Sequence, residues 1–162
     1  MAELEIHDLG YRHPDAGTLI EELQAEYVVR YGGRDGAHID GSQFDPPDGL
    51  FAVGYCDAEP VAIGGWRRLP TEDPATGWAA PAAELKRMYV TERMRGAGFA
   101  RVMLAYFERS AAEHGMRWLL LETGLKQPEA LALYQSAGYQ QVPPFGFYAG
   151  AEFARHLGKQ LG

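Results

Sequence analysis

The chain has little of what secreted and membrane proteins rely on. Cys56 is the only cysteine among its 162 residues, so no disulfide can form within it. No apolar run approaches the roughly 20 residues that a membrane-spanning helix needs, and the acidic N-terminus lacks a signal-peptide pattern. We therefore expect a cytoplasmic protein, with residues 1–162 forming a single domain large enough to bury a core.

Positive charge is also scarce. Lys and Arg number 15 against 22 Asp and Glu, which gives a net charge of −7. Because binding to phosphate backbones depends on clustered Lys and Arg, this balance disfavours nucleic acid and anionic membranes as partners and mildly suits a cationic substrate. The histidines show no spacing typical of metal ligands, so no metal site is expected. They are His7, His13, His38, His114 and His156.

Hydrophobic periodicity predicts a mixed α/β fold. Strands are expected at residues 4–7, 50–55, 61–68, 83–90, 117–123, 139–142 and 153–161, and helices at 14–31, 98–114 and 127–139. A hairpin turn is expected at 57–60, and loops at 32–48, with room for one helical turn, and at 71–81. This order predicts a mixed sheet with helices on its faces.

The most informative segment is residues 95–100, R-G-A-G-F-A, which lies between a predicted strand and a predicted helix. Converging backbone N–H groups, the helix dipole and glycines that allow close approach together favour a bound phosphate. The nucleotide-hydrolase loop is excluded, because no glycine is followed by Lys-Ser or Lys-Thr. The dinucleotide fingerprint fits poorly, because Arg101 occupies its third small position.

A third pattern, Q/R-x-x-G-x-G/A, is met by Arg95, Gly98 and Ala100. Here the chain resembles the GNAT N-acetyltransferase superfamily. Residues 84–90 look like the fourth strand of that family, 117–123 look like its fifth, and 127–139 look like its A-x-x-L-Y-x-x-x-G-[FY] helix. The P-P-F-G-F-Y run at 143–148 is similar to a tail found in bacterial members.

The resemblance implies an acyl-CoA N-acyltransferase fold with helices on both faces of a mixed sheet and splayed fourth and fifth strands. It implies acetyl-CoA as co-substrate and no metal. The pantetheine arm is expected along Met88, Tyr89 and Val90, with the backbone N–H of Met88 as oxyanion donor. The pyrophosphate is expected on the turn, and Gln127 stands where many members place an asparagine. The residues of the turn are Arg95, Gly96, Ala97, Gly98, Phe99, Ala100 and Arg101.

The resemblance also suggests two catalytic residues. Tyr134 occupies the position of the acid that protonates the leaving thiolate, although a tyrosine on this helical stripe also serves core packing. Glu84 occupies the position of the base that deprotonates the amine in histone-acetylating relatives. Because strands alternate, Glu84 could instead face solvent beside Lys86 as a surface pair.

The expected reaction is direct acetyl transfer to a primary amine of a small or amino-acid-like acceptor. A protein or peptide amine and a non-catalytic acyl-CoA-binding module are the alternatives, and a homodimer is left open. The acceptor is expected near the first helix, the 32–48 loop and the 145–148 segment. Glu22, Glu26 and Asp35 are candidates for recruiting a cation there.

Overall fold

A computed structural model describes residues 3–37, 39–69 and 81–162. Its strands are β1 (Glu5–Asp8), β2 (Gly49–Cys56), β3 (Glu59–Arg68), β4 (Ala82–Val90), β5 (Trp118–Gly124), β6 (Gln140–Gln141) and β7 (Ala154–Gln160). Its α-helices are α1 (Pro14–Tyr31), α2 (Phe99–Glu113) and α3 (Pro128–Ser136). Gly41–Phe44 and Glu92–Met94 form short 3-10 helices. The described elements follow the predicted order, whereas the loop predicted at 71–81 lies, apart from Pro81, outside the described residues.

The described strands form one sheet in the order β1-β2-β3-β4-β5-β7-β6. Alternate residues of each strand point to opposite faces, so each face buries its own apolar set. Phe51, Val53 and Ile63 pack with α1 on one face. Leu50, Ala52 and Trp66 pack with α2 and Tyr134 of α3 on the other. The predicted mixed sheet covered by helices on both faces is confirmed.

β4 and β5 run parallel but stay paired only at one end. The paired positions are Ala82↔Trp118, Ala83↔Leu119 and Glu84↔Leu120. From Leu85 onwards β4 continues beside β3 alone, while β5 continues beside β7. A gap therefore opens between the two strands toward their carboxyl ends, and backbone groups along β4 are left without a strand on that side.

β4 contains a bulge in the part of the strand that lies beside this gap. Gly65 faces Lys86 and Ile63 faces Tyr89, so Arg87 and Met88 together oppose Gly64. Arg87 takes a left-handed backbone conformation with φ of 58°, which costs a non-glycine residue about 1–2 kcal/mol. The extra residue shifts the alternation, and this shift decides which side chains reach each face of the sheet beyond the bulge.

Candidate active site

The first of two cavities, which we term the loop cavity, has a volume of about 420 Å³ and lies against the glycine turn. Ten of the eleven residues predicted to contact the cofactor line it, the exception being Ala97. The ten are Met88, Tyr89, Val90, Arg95, Gly96, Gly98, Phe99, Ala100, Arg101 and Gln127. Strand end, turn and helix start therefore converge on one space.

The turn leaves its backbone donors available. Gly96 and Gly98 have φ of 88° and 84°, and a Cβ built on either meets nothing within 4 Å. Gly98 caps α2 without a side-chain hydrogen bond, and the first N–H groups of a helix have no partner within the helix. The donors at Phe99, Ala100 and Arg101, with the helix dipole behind them, can therefore bind an anion.

Arg95 is held by the protein itself. Its Nε donates to the Val90 carbonyl oxygen at 3.0 Å, and its Nη2 lies 2.7 Å from Glu26 Oε2. Glu26 also accepts from Arg30 Nε at 3.2 Å. These contacts place a carboxylate and two guanidinium groups beside the turn, so Arg95 is oriented by α1 before any ligand arrives.

Tyr134 lies at the wall of the loop cavity that faces the splayed strands. α3 begins after Gln127, with Pro128 in the first turn where its missing N–H costs nothing. With α3 beginning at this point, the side chain of Tyr134 points into the protein, where it is 7% exposed. Its ring contacts the Tyr139 ring edge-on, with centroids 5.7 Å apart. Burial raises the pKa of Tyr134, so its phenol stays protonated at neutral pH.

The second cavity, which we term the aromatic cavity, has a volume of about 330 Å³ and lies on the α1 side of the splay. Tyr27 and Tyr31 of α1 face Tyr148 and Phe153 of the tail across it. Gln127 lines both cavities, and its Oε1 accepts a hydrogen bond from the Tyr31 hydroxyl at 3.1 Å. The two spaces therefore meet at the start of α3, beside the gap between β4 and β5.

Glu122 of β5 lines the aromatic cavity. It shares a face with Leu120, which packs against Phe145. Its partner across the strand pair is buried His156, whose Nε2 lies 3.3 Å from Glu122 Oε2. A carboxylate thus lies on one side of the splay, near an imidazole nitrogen that has no hydrogen-bond partner among the described residues. Tyr134 packs with the α2-side cluster on the other side.

A sequence model of the acetyltransferase (GNAT) family matches residues 17–139, about three quarters of the chain. This chain belongs to the GNAT acetyltransferase family. Members of the family use acetyl-CoA as co-substrate, and the unpartnered donors of the glycine turn fit its phosphates, while the splayed strands fit its pantetheine arm. In the described ranges no helix is long and apolar enough to cross a membrane.

The relatives agree with this assignment. The chain is 31% identical over 143 residues to a protein named IAA acetyltransferase from Azospirillum brasilense, covering 88% of each chain. A Klebsiella pneumoniae structure provisionally described as an acyl-CoA N-acyltransferase is 25% identical over 98% of each chain, with a TM-score of 0.79. A GNAT acetyltransferase from Staphylococcus aureus has a TM-score of 0.74 at 16% identity, covers 99% of this chain and 100% of its own, and supports the fold.

Glu84 lies elsewhere in this GNAT structure. It belongs to the paired end of β4 and is 5% exposed, so the surface pair with Lys86 considered from the sequence does not form. Its Oε1 accepts from Arg67 Nε at 3.3 Å and Nη2 at 3.1 Å. The residues lining the two cavities do not include Glu84, so its role as base stays a prediction without a contact to either space.

The acidic candidates of α1 and the following loop are engaged by the protein. Glu22 accepts from the Tyr89 hydroxyl at 3.3 Å, and Glu26 pairs with Arg95. Asp35 forms a buried ion pair with Arg87. Burial alone would raise the pKa of Asp35, but the Ala37 N–H and the Arg87 and Lys86 charges outweigh it and hold the pKa below its usual value.

Sequence reasoning missed Glu122 and His156. Both lie in predicted strands, and Glu122 is a lone carboxylate that interrupts the apolar run of residues 118–121. That interruption was the available signal, because an acid in a strand with buried neighbours needs a partner or a function. The pairing with His156 depends on the β5–β7 register, which no local pattern specifies.

Proposed function

We propose that this protein transfers the acetyl group of acetyl-CoA directly to the primary amine of a small or amino-acid-like acceptor. The observation that carries the proposal is the junction at the β4–β5 splay. A cavity lined by the glycine turn shares Gln127 there with a second cavity that has a carboxylate on its wall. At about 330 Å³ the second cavity is at the low end for small-ligand sites, which favours a small amine over a protein segment.

The donor is proposed to lie with its pyrophosphate on the N–H groups of residues 96–101 and its pantetheine along Met88, Tyr89 and Val90. The thioester would then reach the splay, since that is where β4 has no neighbouring strand. The backbone N–H of Met88 is the proposed donor to the oxyanion of the tetrahedral intermediate. Glycine at position 64 supports this arrangement, because a Cβ there would meet the Phe107 ring at 2.6 Å and Met88 Cα at 3.4 Å.

Glu122 is proposed as the base, in place of Glu84. An incoming ammonium has no lone pair and must lose a proton before its nitrogen attacks the thioester carbonyl. Glu122 borders the space where the acceptor would stand, whereas Glu84 is bound to Arg67. Proton transfer to Glu122, directly or through one water, frees the amine, and the buried His156 imidazole lies next to the carboxylate, with Nε2 3.3 Å from Oε2.

Tyr134 is proposed as the acid. As the C–N bond forms and the C–S bond breaks, the sulfur leaves as a thiolate and takes the phenolic proton. The raised pKa of Tyr134 keeps this proton in place until a strong base appears nearby, and a desolvated thiolate is such a base. No covalent enzyme intermediate is required, because amine and thioester meet in the same splay.

The proposal is tested by following the release of free CoA thiol from acetyl-CoA in the presence of a panel of primary amines. We expect amine-dependent release with acetylated amine formed in equal amount. Binding of acetyl-CoA without amine-dependent release for any member of a broad panel would contradict the catalytic proposal and favour an acyl-CoA-binding module.

A further inference from the structure

Cationic side chains outnumber carboxylates among the residues that line the aromatic cavity. Four cationic side chains line it, together with two carboxylates. The cations are Arg34, Lys86, Arg87 and Lys126, and the carboxylates are Asp35 and Glu122. The chain as a whole carries a net charge of −7, so this local excess runs against the charge of the molecule and needs an explanation from the site itself.

The partners of these groups show where the excess lies. Arg34 is neutralised by Glu21, with both guanidinium nitrogens 3.0 and 3.1 Å from its carboxylate oxygens. Asp35 is committed to Arg87 and also accepts from the Tyr148 hydroxyl at 2.8 Å and the Ala37 N–H at 2.9 Å. The ion pairs of the described residues include Arg34 and Arg87 but not Lys86.

Two of the cations are deeply buried. Lys86 is 9% exposed and Arg87 is 7% exposed. Arg87 Nε is shielded from solvent and has no hydrogen-bond partner among the described residues. Because an unpaired buried charge or donor costs free energy, such groups are found where a ligand of opposite charge completes them.

The β4 bulge brings these cations together. Neighbouring residues of a regular strand point to opposite faces, so a regular β4 would send Lys86 and Arg87 apart. The bulge at Arg87 and Met88 resets the alternation, so that Arg87 reaches Asp35 on the α1 side while Met88 packs with the α2-side cluster. The left-handed backbone conformation of Arg87 is therefore strained, and it places two adjacent cationic side chains at one cavity.

The remaining walls are aromatic. The rings of Tyr31 and Phe153 have centroids 5.4 Å apart, and those of Tyr148 and Phe153 are 5.6 Å apart. Tyr27 closes the α1 side of the same space. These rings contact one another, and a planar apolar group can pack edge-on or offset against the cluster that they form.

From the cation excess, the carboxylate on β5 and the ring-lined walls, we infer that the acceptor is an aromatic α-amino acid. Its carboxylate binds Lys86 and the Arg87 guanidinium, its ring lies among Tyr31, Tyr148 and Phe153, and its ammonium faces Glu122. This assignment rests on the proposed function, since it names the substrate class of the same site.

The test compares acceptors that differ in one group. Acetyl transfer is measured with L-phenylalanine, with phenethylamine, which lacks only the carboxylate, and with L-alanine, which lacks only the ring. We expect kcat/KM for phenylalanine to exceed that for either analogue by about 10- to 100-fold, since hydrogen bonds to charged groups contribute on this scale.

Lys86→Met should reduce the ratio of kcat/KM for phenylalanine to that for phenethylamine by about 10- to 100-fold, because only phenylalanine loses a charged partner. Arg34→Met is the matched control. It removes another cation of the same cavity, but one that Glu21 already neutralises, so the ratio should stay within about twofold. Thermal melts of both variants report whether the fold survives.

The inference is overturned if the wild type has nearly equal kcat/KM values for phenylalanine and phenethylamine, or if Lys86→Met leaves the ratio of these two values unchanged. If phenethylamine is still acetylated in that case, the proposed amine acetylation stands and only the assignment of the acceptor fails. Failure of the inference can therefore be distinguished from failure of the proposed function. Equal rates for alanine and phenylalanine overturn the aromatic part. Turnover of neither phenylalanine nor its analogues also overturns the inference, and the broad amine panel then decides the proposed function separately.

Discussion

The loop cavity and the aromatic cavity are built by different means. The loop cavity takes most of its wall from one contiguous stretch, residues 88–101, and offers a ligand backbone N–H groups that any sequence with the right glycines presents. The aromatic cavity takes its wall from α1, the loop after it, β4, β5, the start of α3 and the tail, and it binds through side chains. The first therefore defines a ligand class shared across a family, whereas the second defines what is particular to this chain.

This difference explains what the sequence could predict. Arg95, Gly98 and Ala100 are close in sequence, so their pattern was visible without a fold, and the strand and helix on either side follow from apolar periodicity. α1 begins and ends where its pattern predicted, from Pro14 to Tyr31. Local chemistry, read over about twenty residues, was sufficient to predict the strand, turn and helix that form part of the wall of the loop cavity, whereas the part that α1 forms depends on the fold.

The aromatic cavity could not be predicted in the same way. The bulge that sends Lys86 and Arg87 to one side occurs in the segment L-K-R-M, which contains no glycine to mark it. The alternation of β4 left open a solvent-facing Glu84 beside Lys86, but the two residues are 5% and 9% exposed. The contact of Asp35 with Arg87 spans 52 residues, and that of Asp35 with Tyr148 spans 113.

The largest effect expected in either cavity belongs to the base. Glu122→Gln should lower kcat/KM at pH 7 by about 100- to 10,000-fold, the range typical of losing one general base. The deficit should shrink as the pH approaches the pKa of the acceptor amine, about 8 to 10, because the amine then arrives deprotonated. A pH–rate profile of both proteins measures this.

Glu84→Gln is the matched control, since it makes the same change one strand away on a carboxylate bound to Arg67. It should change kcat/KM by less than about threefold, below 1 kcal/mol of transition-state stabilisation. The opposite result would be a large, pH-dependent loss of kcat/KM in Glu84→Gln and no loss in Glu122→Gln. It would assign the base role to Glu84 and place the acceptor near Arg67.

The buried ion pair of the aromatic cavity should also contribute to stability. Asp35→Asn leaves the Arg87 guanidinium buried without its counter-charge, and this costs about 3–5 kcal/mol of unfolding free energy at pH 7. Asp45→Asn breaks the exposed Arg12–Asp45 pair, with side chains 66% and 48% exposed, and should cost less than about 1 kcal/mol. Urea unfolding of the wild type, Asp35→Asn and Asp45→Asn measures these differences in unfolding free energy.

The difference in unfolding free energy between the wild type and Asp35→Asn should depend on pH. The folded-state pKa of Asp35 lies below its unfolded value of about 3.9, so its contribution to stability is complete above that value. The contribution is lost as the pH falls through the folded pKa. The two unfolding free energies should therefore converge below about pH 4, and a gap that stays constant in acid would mean that packing, and not charge, carries the effect.

In the loop cavity the largest effect belongs to Tyr134. Tyr134→Phe deletes only the hydroxyl, so folding and acetyl-CoA affinity should change little, while kcat falls by about 10- to 1000-fold. Tyr134→Ala removes the buried ring as well and should cost about 3–5 kcal/mol of stability. Turnover and melting temperature of both variants separate the acid role from packing, and a fully active Phe variant rules the acid role out.

The smallest effect tests whether the glycine turn binds by its backbone. Gly98→Val puts a side chain where φ is 84° and into space that is open in the protein but needed by the phosphates. CoA affinity, measured by calorimetry, should fall by about 10- to 100-fold as charge-assisted N–H contacts are displaced. Gly115→Val is the control, because Gly115 follows the other end of α2 with φ of 86° and the same open surroundings.

Both glycine variants carry the same left-handed strain of about 1–2 kcal/mol, so their melting temperatures should fall together. Only Gly98→Val should lose CoA binding, because only its side chain lies at the N-terminus of α2, where the dipole and the unpartnered donors point. Equal affinities in the two variants would mean that the phosphates bind away from this turn. The loop cavity would then depend on particular side chains, and the contrast between the two cavities would disappear.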